Sequence, residues 1–194
     1  MSEPARSPSL RERKKVRTRE TIRREAFRLF DERGYASTTI EHIADAADIS
    51  PSTFFRYFPS KESVLLADDL SMVMLEALAG QPVEMTPIAA FRQAVHDAYE
   101  HMTAEEWDTE KTRQRLIYSL PELQPALREE YNSLVTGVAE AMARRLQRGP
   151  HEAGIRAFAG AVIGAVMALG NRGPFSLDNV DQAMNVLESG LTLD

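Results

Sequence analysis

The chain predicts an all-α protein of about nine helices, in which an N-terminal three-helix module with a helix-turn-helix precedes a larger helical domain. Three observations predict it. Apolar residues recur at three- and four-residue spacing in segment after segment. No segment sustains the period-two alternation of a half-buried strand. Hydroxyl residues, often followed by proline, open the periodic segments, and glycine or proline closes them.

In the first segment Ile22, Ala26, Leu29 and Phe30 share one helix face, Arg33 suits the negative end of the dipole, and Gly34 supplies a left-handed stop. Thr38 with Glu41 has capping-box spacing, and Thr39 is an equal candidate for the cap; Ile40, Ile43, Ala44 and Ala47 give a short second helix its stripe. Ser50-Pro51 starts a third helix, with proline where its missing N–H is no loss, and Pro59 ends it. Ser60 caps a fourth, expected to run from Lys61 to Ala79. Residues 80–87 hold two prolines and a glycine and make the best linker candidate. Beyond them, helices are expected from Thr86-Pro87 to about Thr103, from about Trp107 to Leu120, from Pro121 to Arg148, from His151 to Asn171 and from Ser176 to Leu191.

With 194 residues, 43% hydrophobic and 27% charged, the composition is that of a globular protein. The absence of cysteine excludes disulfides, thiolate metal sites and thiol nucleophiles, and fits a cytoplasmic location. The basic, non-apolar first 24 residues do not read as a secretory signal. The longest apolar stretch, Ala157 to Leu169, is 13 residues where a membrane span takes about 20, so no membrane partner is expected. The net charge of −6 hides a gradient: residues 1–66 carry +3 and residues 67–194 carry −9. A basic front on an acidic body places polyanion binding in residues 1–66 and a separate task in residues 67–194.

Two short helices joined by a tight turn make a helix-turn-helix. Phe54 and Phe58, four apart, anchor the second of them on Ile40, Ile43 and Ala47, leaving Ser52, Thr53, Arg56 and Tyr57 outward. Arg56 is the candidate for bidentate guanine readout and Thr53 for a thymine methyl or a phosphate, with Tyr57 and Lys61 placed for the DNA backbone. Thr39 and Ser50 stand where helix starts meet phosphates, and Arg17 lies in a basic arm expected to precede Thr18 and to add salt-dependent attraction.

These residues carry a resemblance. The run from Thr18 to Leu66, with Ala26-Phe27-Arg28-Leu29-Phe30, Gly34-Tyr35, Thr38-Thr39-Ile40, Ser50-Pro51-Ser52-Thr53-Phe54-Phe55-Arg56-Tyr57-Phe58 and Ser60-Lys61-Glu62, resembles the TetR family of bacterial repressors. The Phe-Phe-Arg-Tyr-Phe run and the segment from Leu116 to Arg145 resemble actinobacterial members with acyl-CoA-type ligand domains. One position departs from the family pattern: Phe55 stands where a tyrosine is usual, and has no hydroxyl for a phosphate. The resemblance implies a homodimer that binds a palindromic double-stranded DNA operator and is released by a small apolar effector, acyl-CoA-like in that branch. It assigns residues 67–194 to effector binding and dimerisation, with the fourth helix as the lever between the two tasks.

Apolar candidates for the effector pocket are Phe91, Val95, Tyr99, Met102, Trp107, Leu116, Ile117, Leu120, Tyr131, Phe158, Val162 and Met167. Small residues Ala157, Gly160, Ala161 and Gly164, together with Val180, Met184, Leu187 and Leu191, are candidates for a two-fold interface made by the last two helices of each subunit. His96 with Glu100 and Asp97 with His101 are i, i+4 pairs that read as solvated helix faces rather than metal ligands. With no Gly-rich phosphate loop, no nucleophile motif and no zinc-protease motif, the sequence points away from an enzyme and calls for no cofactor. The alternative is a helical dimeric scaffold whose front helix pair contacts protein; steep salt dependence separates the two.

Overall fold

The structure, a computed structural model, describes residues 9–67, 69–100, 102–170 and 176–190. Among these residues it is all-α: α1 (Leu10–Arg33), α2 (Ile40–Ala46), α3 (Pro51–Tyr57), α4 (Lys61–Leu66), α5 (Asp69–Gly80), α6 (Pro87–Tyr99), α7 (Ala104–Ser119), a 3-10 turn (Pro121–Leu123), α8 (Gln124–Leu146), α9 (Ala153–Gly170) and α10 (Leu177–Glu188). The chain forms two compact units, Met1–Leu65 and Leu66–Asp194.

In the first unit α1 packs on α2, and α2 on α3. Ile22, Ala26, Leu29 and Phe30 are buried as their spacing predicts, with Ile43, Ala44, Phe54, Phe58, Val64 and Leu65 completing the core. Gly34, at φ +81°, ends α1 in the left-handed region that glycine enters without strain. From Leu10 onward the basic segment before Thr18 is the start of α1 rather than a separate arm. Between the two cap candidates the structure chooses Thr39: its hydroxyl accepts from the His42 N–H, and the His42 ring returns the bond to the Thr39 N–H. Thr38 is buried instead, donating to the carbonyls of Leu29 and Gly34.

In the second unit α5 packs on α6 and α8, α8 on α9, α9 on α10, and α10 returns to α6, while α7 lies against α8 and the 3-10 turn. Leu78, Phe91, Val138, Met142, Val162 and Met184 fill the middle. The expected helix from Lys61 to Ala79 is two helices, α4 and α5. Residues 80–87 are not a linker between domains but a turn within this unit, joining two helices that pack on each other.

Arg145 holds that turn. Its guanidinium is 4% exposed and donates to the carbonyls of Gln81, Pro82 and Met85, at 3.2, 2.5 and 2.6 Å. Hydrogen bonds from a charged donor to a carbonyl oxygen belong to the strong class. Arg145→Met keeps the volume and removes all three, so a loss of about 3 kcal/mol in urea unfolding is expected; a loss below about 0.5 kcal/mol would show that the carbonyls find other donors.

Candidate nucleic-acid interface and cavity

The turn between α2 and α3 is tight because Asp48 takes a left-handed φ of +53° and the Ile49 N–H bonds back to the Ala44 carbonyl. Ser50 then caps α3, accepting from the Thr53 N–H at 3.2 Å, with Pro51 in the first turn. Successive residues on so short a helix turn by about 100°. Phe54 (0% exposed) and Phe58 (1%) point inward, their rings 5.9 Å apart, with the Arg19 guanidinium 4.6 Å from the Phe58 ring.

The outward face differs from the one expected. It is made by two i, i+4 pairs side by side, Pro51 with Phe55 and Ser52 with Arg56, all exposed. Thr53 and Tyr57 lie on its flank, half-buried, and do not share its centre. Arg56 is exposed, has no carboxylate partner among the described residues, and stacks loosely on Tyr57 at 5.7 Å. Phe55, 52% exposed, joins this face although it was not in the expected outward set; its exposure follows from the angular position one turn after Pro51.

Lys61 is not presented as a free cation. Its ammonium donates to the Tyr35 and Thr38 carbonyls at 2.8 and 2.9 Å and sits 4.0 Å from the Tyr35 ring, tying α4 to the loop before α2. The Tyr35 phenol donates to Glu62 at 3.0 Å. Burial works to raise the Glu62 carboxyl, but the Glu62 N–H, the Ser60 hydroxyl, the Tyr35 phenol and Lys61 outweigh it, so the group stays below its ordinary value. This lock fixes the start of α2, where the exposed Thr39 stands. Arg17 is exposed on α1.

The second unit contains a cavity of about 110 Å³. Of the expected lining, Phe91, Val95, Tyr99, Ile117 and Met167 are there, joined by Leu70, Met74, Leu127, Leu134, Ile163 and Val166. Met102, Trp107, Leu116, Leu120, Tyr131, Phe158 and Val162 do not line it. Val162 is fully buried in the core and Trp107 stacks on Tyr99 at 5.4 Å, so both serve packing. What an apolar search missed is the polar wall of Ser71, Arg113, Gln114, Tyr118 and Glu130. Arg113 and Glu110, each 4% exposed, form a bidentate pair at 2.7 and 2.6 Å, with the Glu130 carboxylate 4.0 Å from Arg113 on its other side. Burial and the Glu130 and Glu110 carboxylates raise the Tyr118 phenol above its ordinary value against the pull of Arg113, leaving it a neutral hydroxyl at pH 7.

On α9, Ala157 and Ala161 are exposed and Gly160 and Gly164 half-buried, one continuous row of small residues. Val180 and Met184 are not on the surface: at 1% and 0% exposure they belong to the protomer's own core, because the apolar stripe of α10 turns inward. Leu187 is partly buried beside it, Val186 is exposed at 41%, and Leu191 lies outside the described residues. His96 faces Asp181 at 3.0 Å and Asp97 accepts from Gln81 and Gln93; His101 is outside the described residues. Among those residues no helix is long and apolar enough to cross a membrane.

Comparison with known proteins agrees with the residue pattern. Residues 22–67 match the family model for bacterial regulatory proteins of the tetR family, and residues 85–192 match the MftR C-terminal domain of TetR regulators. The transcriptional regulator TcmR of Streptomyces glaucescens is 44% identical over 89 residues, which are 45% of this chain and 39% of TcmR. The chain thus spans well under half the length of that relative. Among solved structures, the SmeT repressor of a Stenotrophomonas maltophilia multidrug efflux pump superposes with a TM-score of 0.61 at 18% identity, covering 89% of both chains. The Thermus thermophilus repressor FadR, solved with lauroyl-CoA, gives 0.55 at 22% identity, covering 91% of this chain and 96% of its own. At these identities the structures show a shared fold. The two family models together cover most of the chain, the second of them more than half of it, and the chain belongs to the TetR family of bacterial transcriptional regulators.

Proposed function

We propose that the protein is a homodimeric repressor that binds a palindromic operator through α3 and releases it when a small molecule occupies the cavity of the second unit. The observation that carries the reading is the exposed face of α3: a helix pinned from behind by Phe54 and Phe58 presents Ser52 and an unpaired Arg56. On this reading residues 1–66 bind DNA, with Arg17, Thr39, Ser50 and the flanking Thr53 and Tyr57 near the phosphates and Lys61 fixing the start of α2, and residues 67–194 bind the effector and the partner. Such a protein works in the cytoplasm beside the chromosome. Equilibrating it with a random duplex library and sequencing the bound fraction tests the reading. Enrichment of an inverted repeat with half-site centres one helical turn, about 34–36 Å, or a multiple apart is expected; a bound fraction without enrichment contradicts it.

The effector enters a space of about 110 Å³, enough for roughly one ring or a short chain. The lining of this space includes Met74 and Met167, and methionine yields readily to a longer ligand. The lauroyl-CoA bound by the Thermus repressor makes acyl-CoAs the first class to screen for release of DNA. Release requires that the ligand prefer the non-binding form, since equal affinity for both shifts nothing.

The dimer interface is proposed on the small-residue row of α9, with Leu187 at its edge. A Cβ built on Gly160 has nothing within 4 Å in the protomer. Gly160→Leu is therefore expected to leave the protomer folded, with a helix better by about 1 kcal/mol in intrinsic propensity, while it blocks close approach of two α9 helices. Sedimentation at micromolar concentration should show a dimer for the wild type and a monomer for the variant; an unchanged dimer places the interface elsewhere.

A further inference from the structure

We propose that Phe55 reads the 5-methyl group of a thymine in the major groove, beside the guanine taken by Arg56. The inference rests on the DNA-binding reading above. The exposed face of α3 divides lengthwise into an apolar strip, Pro51 and Phe55, and a polar strip, Ser52 and Arg56. Anchoring of the helix is already complete without Phe55, since Phe54 and Phe58 are buried. The ring nevertheless remains 52% exposed and is held edge-on against Phe54, at 5.8 Å and 89°, so it is presented rather than loose. Phe55 has no hydroxyl and no charge, so it can neither donate to a phosphate nor pair with a base edge. The one apolar group that base edges offer in the major groove is the thymine methyl. Covering the ring and the methyl with each other removes both from water, and the neighbouring polar strip sets the adjacent base pair to a donor-reading contact.

The test uses the duplex recovered from the random library, with each thymine replaced singly by deoxyuridine, which removes the methyl and keeps every hydrogen-bonding group. For the wild type, one thymine position per half-site is expected to lose about fourfold in affinity, the value of one buried methyl-sized group. In Phe55→Ala the same replacement is expected to change nothing, whereas Phe55→Tyr, which keeps the ring, retains the sensitivity. Thermal melts establish that the variants are folded. If no thymine is sensitive, or if the sensitivity persists in Phe55→Ala, the inference is overturned while the DNA-binding reading stands on its own guanine preference at Arg56. If no sequence is enriched at all, both fall together.

Discussion

Arg56→Ala is expected to remove most of the sequence discrimination while leaving the protein folded and dimeric. Arg56 is exposed and, among the described residues, makes no ion pair that its loss would strand, so thermal stability should shift by less than about 0.5 kcal/mol. In the complex its planar guanidinium is the one side chain on the outward face able to make a bidentate contact to guanine, worth about 1–3 kcal/mol in each half-site. With two half-sites in one dimer, the operator affinity should fall by roughly 30-fold or more. Binding to unrelated DNA should change far less, because that binding depends on phosphate charge spread over the basic front of the chain. Arg56→Lys separates charge from geometry: it keeps the cation but not the fork, and is expected to recover non-specific binding without recovering the guanine preference. Affinity for the operator and for unrelated DNA falling in parallel would remove Arg56 from base readout.

Arg113→Leu is expected to be the most destabilising single change in the second unit. The guanidinium and the Glu110 carboxylate are both 4% exposed and share two hydrogen bonds, and Gln114 adds a third to Glu110 at 2.9 Å. Removing one partner strands a buried charge, at a cost of about 3–5 kcal/mol. Replacing both, as Glu110→Leu with Arg113→Leu, removes the desolvation cost together with the attraction and is expected to restore stability to near the wild type or above it. Urea unfolding of the four proteins gives the coupling energy. A single variant that loses less than about 1 kcal/mol would mean that water reaches the pair. The consequence reaches the effector, because Arg113 lines the cavity: the double variant would have a wall without the guanidinium, with Glu130 as its remaining charge, and should lose response to anionic ligands before it loses response to apolar ones.

The elements legible from sequence were those fixed by short-range chemistry. Ser50-Pro51, Thr86-Pro87 and Ser176 begin helices because a hydroxyl satisfies an N–H two or three residues on, which needs no knowledge of the rest of the chain. The choice of Thr39 over Thr38 was not legible, since it depends on where Thr38 meets the Leu29 carbonyl across nine residues. The face of α3 was misassigned at Thr53 and Tyr57 because a seven-residue helix with three aromatics in five positions has no clear apolar stripe, and only the packing on α2 sets its rotation. Nothing in the i, i+3 spacing of Glu110 and Arg113 marks that pair as buried. Val180 and Met184 look as suited to a partner as to a core, and the packing of α10 on α9 and α6 decides for the core.

The central claim is that α3 reads DNA. Fluorescence-anisotropy titration of the full chain against the duplex recovered from the random library, with a scrambled duplex as competitor at 50 and 200 mM salt, tests it most directly. Binding to the recovered duplex is expected to be at least about 10³-fold tighter than to the scrambled one, with affinity for both falling steeply as salt rises and with Arg56→Ala removing most of the difference. Equal affinity for the two duplexes, or affinity that does not respond to salt, would contradict it and assign the helix pair to a protein partner instead.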